Sequence, residues 1–125
     1  MTFEMAQEAL TLFADALPPG IYDGLNGGII LLPDTKQHPE SIDGSLYILG
    51  EYHHEPYGLG RYITVYYGSF MRTFGGATLE IQHEKLREVL YHELTHHLEH
   101  LAGDRSLDKQ DEADLQDYRD RFAGF

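Results

Sequence analysis

The 125-residue chain contains no cysteine. Disulfides and thiolate metal sites are therefore excluded, and cysteine usage leaves the redox compartment undecided. Long apolar runs are missing too: no stretch approaches the ~20 residues that span a bilayer. The opening Met1-Thr2-Phe3-Glu4 has neither the basic region nor the apolar run of a signal peptide, so a cytoplasmic protein is the expectation. Basic side chains are scarce. Nine Lys plus Arg stand against 21 Asp plus Glu, a formal net charge of −12 at pH 7. Such a surface repels phosphate backbones, so nucleic acid is not an expected partner; keeping the protein in solution is the ordinary use of this acidity. There is no internal repeat and no low-complexity segment.

What remains is a globular balance, 42% hydrophobic and 24% charged, in a chain sized for one domain over residues 1–125. Thr2 is placed to cap a first helix. In it Phe3, Ala6, Leu10, Phe13 and Leu17 recur at helical spacing, and Pro18-Pro19-Gly20 ends it. Gly28 to Leu32, closed by Pro33, reads as a buried strand. Residues 33–45 read as loop, Leu46-Tyr47-Ile48-Leu49 as a second strand, and residues 50–60 as another loop carrying His53 and His54.

From Arg61 to Tyr67 the chain alternates, with Ile63, Val65 and Tyr67 facing one way and Tyr62, Thr64 and Tyr66 the other, which predicts a third strand. One or two helical turns over 69–74 precede Gly75-Gly76. The spacing then predicts a long helix from Leu79 to Ala102, with Leu86, Leu90, Leu94, Leu98 and Leu101 as its core stripe and Gly103 as its stop. A last helix, about Asp108 to Phe122, carries Leu115, Tyr118 and Phe122 on its apolar face. Helix, then strands, then helices is an α+β order.

Of the eight histidines, His92, His96, His97 and His100 fall within nine residues of the long helix. His92-Glu93-Leu94-Thr95-His96 places two imidazoles one turn apart on one face, able to grip a single ion. Glu93, next to the first of them, is displaced around the helix and can reach a water on that ion. This is the H-E-x-x-H pattern of zinc peptidases, in which the metal activates water and polarises a carbonyl while the glutamate moves the proton. The two ligand positions lie well around the helix from the leucine stripe, where packing gives no reason for them. His97, at the edge of that stripe, fits a hydrogen-bonded structural histidine better than a ligand.

One Zn²⁺ ion held by two histidines needs a third protein ligand. Glu99 and His100 lie too far along the axis, since seven residues rise ~10 Å. The chain must turn back at Gly103 into the carboxylate-rich segment 104–112. Asp111 shares the stripe of Leu115, Tyr118 and Phe122, so it points inward and needs a partner. It is also explicable as a first-turn acid behind an Asp108 N-cap, and Asp104, Asp108 and Glu112 remain alternatives.

These residues together resemble a known family, the small bacterial minimal zincin or metallopeptidase-like domain. The resemblance runs from the helix ending near Ala16-Leu17-Pro18, through Leu49-Gly50-Glu51-Tyr52, to Ile63-Thr64-Val65-Tyr66-Tyr67-Gly68 and Met71-Arg72-Thr73-Phe74-Gly75. It ends on His92-Glu93-Leu94-Thr95-His96-His97. Many members carry a glycine three residues after the second histidine and then an aspartate; here Glu99 stands in that place and the glycine comes later, as Gly103. The Asp111-Glu112-Ala113-Asp114-Leu115 tail is similar to the family's, and the comparison also selects Asp111. The resemblance implies an N-terminal helix, a small mixed sheet of three or four strands, the long motif helix and a C-terminal helix.

The expected function is a zinc metallopeptidase acting on peptides or small proteins, with Glu93 catalytic and His92, His96 and Asp111 on the metal. Its substrate would lie along the Arg61–Tyr67 strand as a candidate sheet edge, with Tyr66, Tyr67 and Tyr91 as candidate oxyanion stabilisers. The alternatives are a non-catalytic zinc-binding interaction module and a zinc amidase on a small substrate.

Overall fold

Thr2 caps α1 (Phe3–Asp15), its hydroxyl accepting from the Met5 amide at 3.1 Å. A computed structural model describes the backbone of residues 1–103 and 106–123 and the side chains of 1–103 and 109–121. Ala6, Ala9 and Leu10 of α1 are buried, and Phe3, Phe13 and Leu17 pack at the border of the core. A short 3₁₀ turn, Pro19–Tyr22, begins at the second proline. Three strands form one mixed sheet in the order β1 (Gly28–Leu32), β3 (Gly60–Tyr66), β2 (Gly50–Glu55). β1 runs parallel to β3 with Ile29 beside Ile63, and β2 runs antiparallel with Tyr52 beside Ile63. The remaining helices are α2 (Tyr67–Phe74), α3 (Leu79–Ala102) and α4 (Ser106–Ala123). The architecture is α+β.

The long helix has the bounds read from its sequence. Thr78 caps it, and Gly103 at φ 73° ends it in the left-handed region that favours glycine. Leu86, Leu90 and Leu94 are buried against Ile63, Val65 and the α1 residues in one cluster, each contributing ~1.5–3 kcal/mol by leaving water. Gln82, also buried, donates to the Phe74 carbonyl at 3.0 Å and ties α2 to α3.

The sheet's two faces differ. Gly50, Tyr52 and His54 of β2 turn toward α3, whereas Glu51, His53 and Glu55 turn away and hydrogen-bond to Tyr66, Thr64 and Tyr62 of β3.

Several expectations are corrected. Leu46 to Leu49 is not a strand: Tyr47 makes a single bridge to Gln37, with Ile48 N donating to the Lys36 carbonyl at 2.8 Å. The strand begins at Gly50, inside the expected loop, because pairing to β3 is available there. β3 is the central strand rather than an edge, and Tyr67 starts α2. Leu98 and Leu101 are 42% and 46% exposed, and His97 is buried in the stripe instead. α4 starts at Ser106, so Asp108 lies in its first turn and not at the cap. Asp104 and the side chains of Asp108 and Phe122 lie outside the described residues. No helix among the described residues is long and apolar enough to cross a membrane.

Candidate metal centre

Helical spacing puts His92 and His96 on the same face of α3, with ring centroids 5.0 Å apart. Beyond Gly103, α4 packs against α3 and presents Asp111 to both rings. Asp111 Oδ2 lies 2.9 Å from His96 Nε2 and 3.4 Å from His92 Nε2. One ligand atom from each of these three residues lies within 4.8 Å of the others, a grouping able to hold a metal ion. Tetrahedral zinc with ligands at ~2.0–2.1 Å requires its donors ~3.3 Å apart, so the separations to Asp111 fit such an ion after a shift of a few tenths of an ångström. Two imidazoles and one carboxylate, with no thiolate, also suit zinc and leave a fourth position open. As ion pairs alone these groups would contribute little: His92 and Asp111 are 42% and 41% exposed, and exposed pairs give ~0–1 kcal/mol.

Glu93 sits differently from its neighbours. It is buried, facing the start of β2, and a Cβ on Gly50 would stand 3.2 Å from Glu93 Cγ. Gly50 thus lets the strand pass close over the motif helix. Burial pushes the Glu93 carboxyl up to about 7, with the Asp111 and Glu51 charges adding to the rise and His96 opposing it.

Glu51 was not assigned a role from the sequence, although it lies in the Leu49–Tyr52 stretch quoted above. Its Oε1 receives Tyr66 OH at 2.6 Å and Lys36 Nζ at 2.5 Å. Partial burial pushes the Glu51 carboxyl up, but these two hydrogen bonds outweigh that and hold it below its ordinary 4.5. The candidate oxyanion tyrosines separate. Tyr66 donates to Glu51 beside the site, Tyr67 donates to the Met1 carbonyl, and Tyr91 packs against the core within electrostatic reach of Tyr22.

His97 is fully buried between Tyr52 OH and the Asp23 carbonyl, 2.8 Å from each. The carbonyl can only accept, so Nε2 carries the proton and Nδ1 accepts from Tyr52. This is a structural histidine, as its position at the edge of the stripe implied. His100 lies beside His54, ring centroids 4.9 Å apart, beyond the three-residue cluster. Glu112 is exposed on α4. A cavity of about 700 Å³ opens beside His92 and Asp111, between α3, α4 and the 46–51 segment.

No family model and no curated protein matches the chain. Among solved structures, it is similar to a conserved hypothetical protein from Thermus thermophilus, at 34% identity and a TM-score of 0.68. The match covers 82% of this chain and 98% of that one. That identity over nearly the whole relative means that the chain belongs to the family of this Thermus protein.

Proposed function

We propose that the protein is a zinc-dependent peptide hydrolase, with one Zn²⁺ ion held by His92, His96 and Asp111 and with Glu93 as general base. The observation that carries this reading is the meeting of three ligand atoms from two helices beside a buried glutamate. Bound there, zinc would polarise the scissile carbonyl and make water a nucleophile at neutral pH. Glu93 takes the proton from the attacking water and passes it to the departing amine. One C–O bond forms and one C–N bond breaks, and water is the only co-reactant. The free side of β2, the edge strand packed on α3, supports an extended peptide as substrate, aligned by main-chain hydrogen bonds. The proposal includes a cytoplasmic setting, which cell fractionation tests.

Metal analysis and a peptide-library digest, run on wild type and Glu93→Gln, test the function. Both proteins should hold near-stoichiometric zinc, and only wild type should cleave, with a difference of ~10²–10⁴-fold. Zinc in both with cleavage in neither would make this a zinc-binding interaction module. Turnover of small amides but not peptides would make it an amidase. A wild type that takes no zinc when supplied overturns the reading.

A further inference from the structure

The cavity beside the centre shares two walls with it. His92 and Asp111 line it at one end, so whatever fills the cavity lies against the residue whose bond is at the centre. From α3, Val89 faces it one turn before His92; from α4, Leu115 faces it one turn after Asp111; from the opposite side come Leu46 and Leu49. These four side chains are half-buried and line the cavity. That use explains why Leu46 to Leu49 is apolar without being a strand.

Several polar groups in the wall have partners, and Arg121, also in the wall, is exposed. Lys85 pairs with Glu88 at 3.3 Å, Glu51 is held by Lys36 and Tyr66, and Asp114 accepts from Gln110 at 2.8 Å. Tyr118 OH accepts from the Ile42 amide at 2.9 Å, fastening the 34–49 segment over α4 as a roof. Among mixed walls, Leu46, Ile48, Leu49, Phe74, Val89 and Leu115 give the cavity of about 700 Å³ an apolar surface that suits an apolar ligand group.

We infer that this cavity is the specificity pocket of the centre and takes a large apolar side chain, leucine or phenylalanine in class, beside the bond to be cleaved. The inference rests on the zinc-hydrolase reading for the ion and extends it to the substrate. A charged side chain would lose water on entering between Val89, Leu115, Leu46 and Leu49.

The test uses hydroxamates of leucine, phenylalanine, alanine and aspartate, titrated calorimetrically into zinc-loaded wild type and zinc-loaded Leu115→Arg. The leucine and phenylalanine forms should bind wild type at least ~10-fold more tightly than the alanine form, since each methylene in an apolar pocket is worth that much or more. Leu115→Arg should erase the discrimination while keeping alanine hydroxamate within about twofold. Leu46→Arg, on the roof, tests the same wall should the first variant fail to fold. Equal affinities across the series overturn the pocket and leave the hydrolase standing. A clear preference without cleavage of leucine-containing peptides sinks the hydrolase and keeps the pocket. Failure to load zinc removes both.

Discussion

Asp111 on α4 reaches across to His96 on α3, Oδ2 to Nε2 2.9 Å, and the same oxygen lies 3.4 Å from His92 Nε2. The contact joins α4 to α3, which ends at the left-handed Gly103. It places a carboxylate where two imidazoles already face one another.

Asp111→Ala should weaken zinc binding strongly. Groups that merely orient a ligand are worth ~10–100-fold in metal affinity, and loss of a direct ligand should exceed that range. Asp114→Ala, one turn further along the same helix, should change affinity by less than ~3-fold, far below even the orienting effect. Competition with a chromophoric chelator measures both. Similar losses in the two variants would mean that general negative charge, not ligation, attracts the ion.

His97→Ala should destabilise the fold without emptying the centre. The substitution leaves Tyr52 OH and the Asp23 carbonyl without their buried partner and opens a void, a combined cost of about 2–4 kcal/mol. Urea unfolding checks the magnitude, and zinc per folded molecule should stay at the wild-type value. Loss of zinc with unchanged stability would move His97 from the scaffold to the site.

How far the fold was legible follows from where each element draws its stability. α3 could be read to its end residues because Leu86, Leu90 and Leu94 repeat on one face and Gly103 stops it. Its stripe does not continue through Leu98 and Leu101, because in the last turns His97 and His100 face the sheet, their rings against Tyr52 and His54 of β2. Leu98 and Leu101 fall beside that face and are 42% and 46% exposed. β2 was hidden for another reason. Gly50-Glu51-Tyr52-His53-His54-Glu55 has no apolar period, since its outward side chains answer tyrosines and a threonine on β3, partners fixed only by the fold. The motif histidines could be found from spacing, and Asp111 from the inward stripe of Leu115 and Tyr118. The Lys36–Glu51–Tyr66 group had no such signal, because its three members lie far apart in the chain and meet only across the sheet.

The Lys36–Glu51 pair should contribute a small stabilisation with a defined acid limit. Glu51 is held below its ordinary 4.5 and Lys36 is raised by the Glu51 hydrogen bond. A depressed carboxyl stabilises the fold at every pH above its unfolded value, and that contribution fades as pH falls through the lower folded value. Both groups are partly exposed, so solvent screening limits the coupling to at most ~1 kcal/mol. A double-mutant cycle with Lys36→Met and Glu51→Gln, repeated from pH 7 to 3, should give a coupling constant down to about pH 4.5 and vanishing below it. Using the cycle cancels the separate repulsion between Glu51 and Glu93. A coupling that grows on acidification would contradict the assignment.

Gly50 offers the sharpest test of how the sheet and the motif helix meet. A Cβ there would stand 3.1 Å from Val89 Cγ1, 3.2 Å from Glu93 Cγ and 3.2 Å from the Thr64 carbonyl. The last of these is backbone of the central strand and has little room to yield; the first two are the side chains that the strand presses upon. Gly50→Ala asks for shifts of a few tenths of an ångström, whereas the two methyls of Gly50→Val have no such space. Overpacking of this kind costs about 1–3 kcal/mol. Relief can come only by lifting β2 or turning Glu93 aside. Gly50→Val should therefore lower stability by that amount. In the protein that remains folded, it should also reduce hydrolysis by more than ten times while zinc content is kept, because the proton-moving group is displaced and the ligands are not. Unfolding curves, metal analysis and turnover on one preparation decide the matter. If Gly50→Val keeps both stability and turnover, the close approach of β2 to Glu93 is not a constraint on this protein.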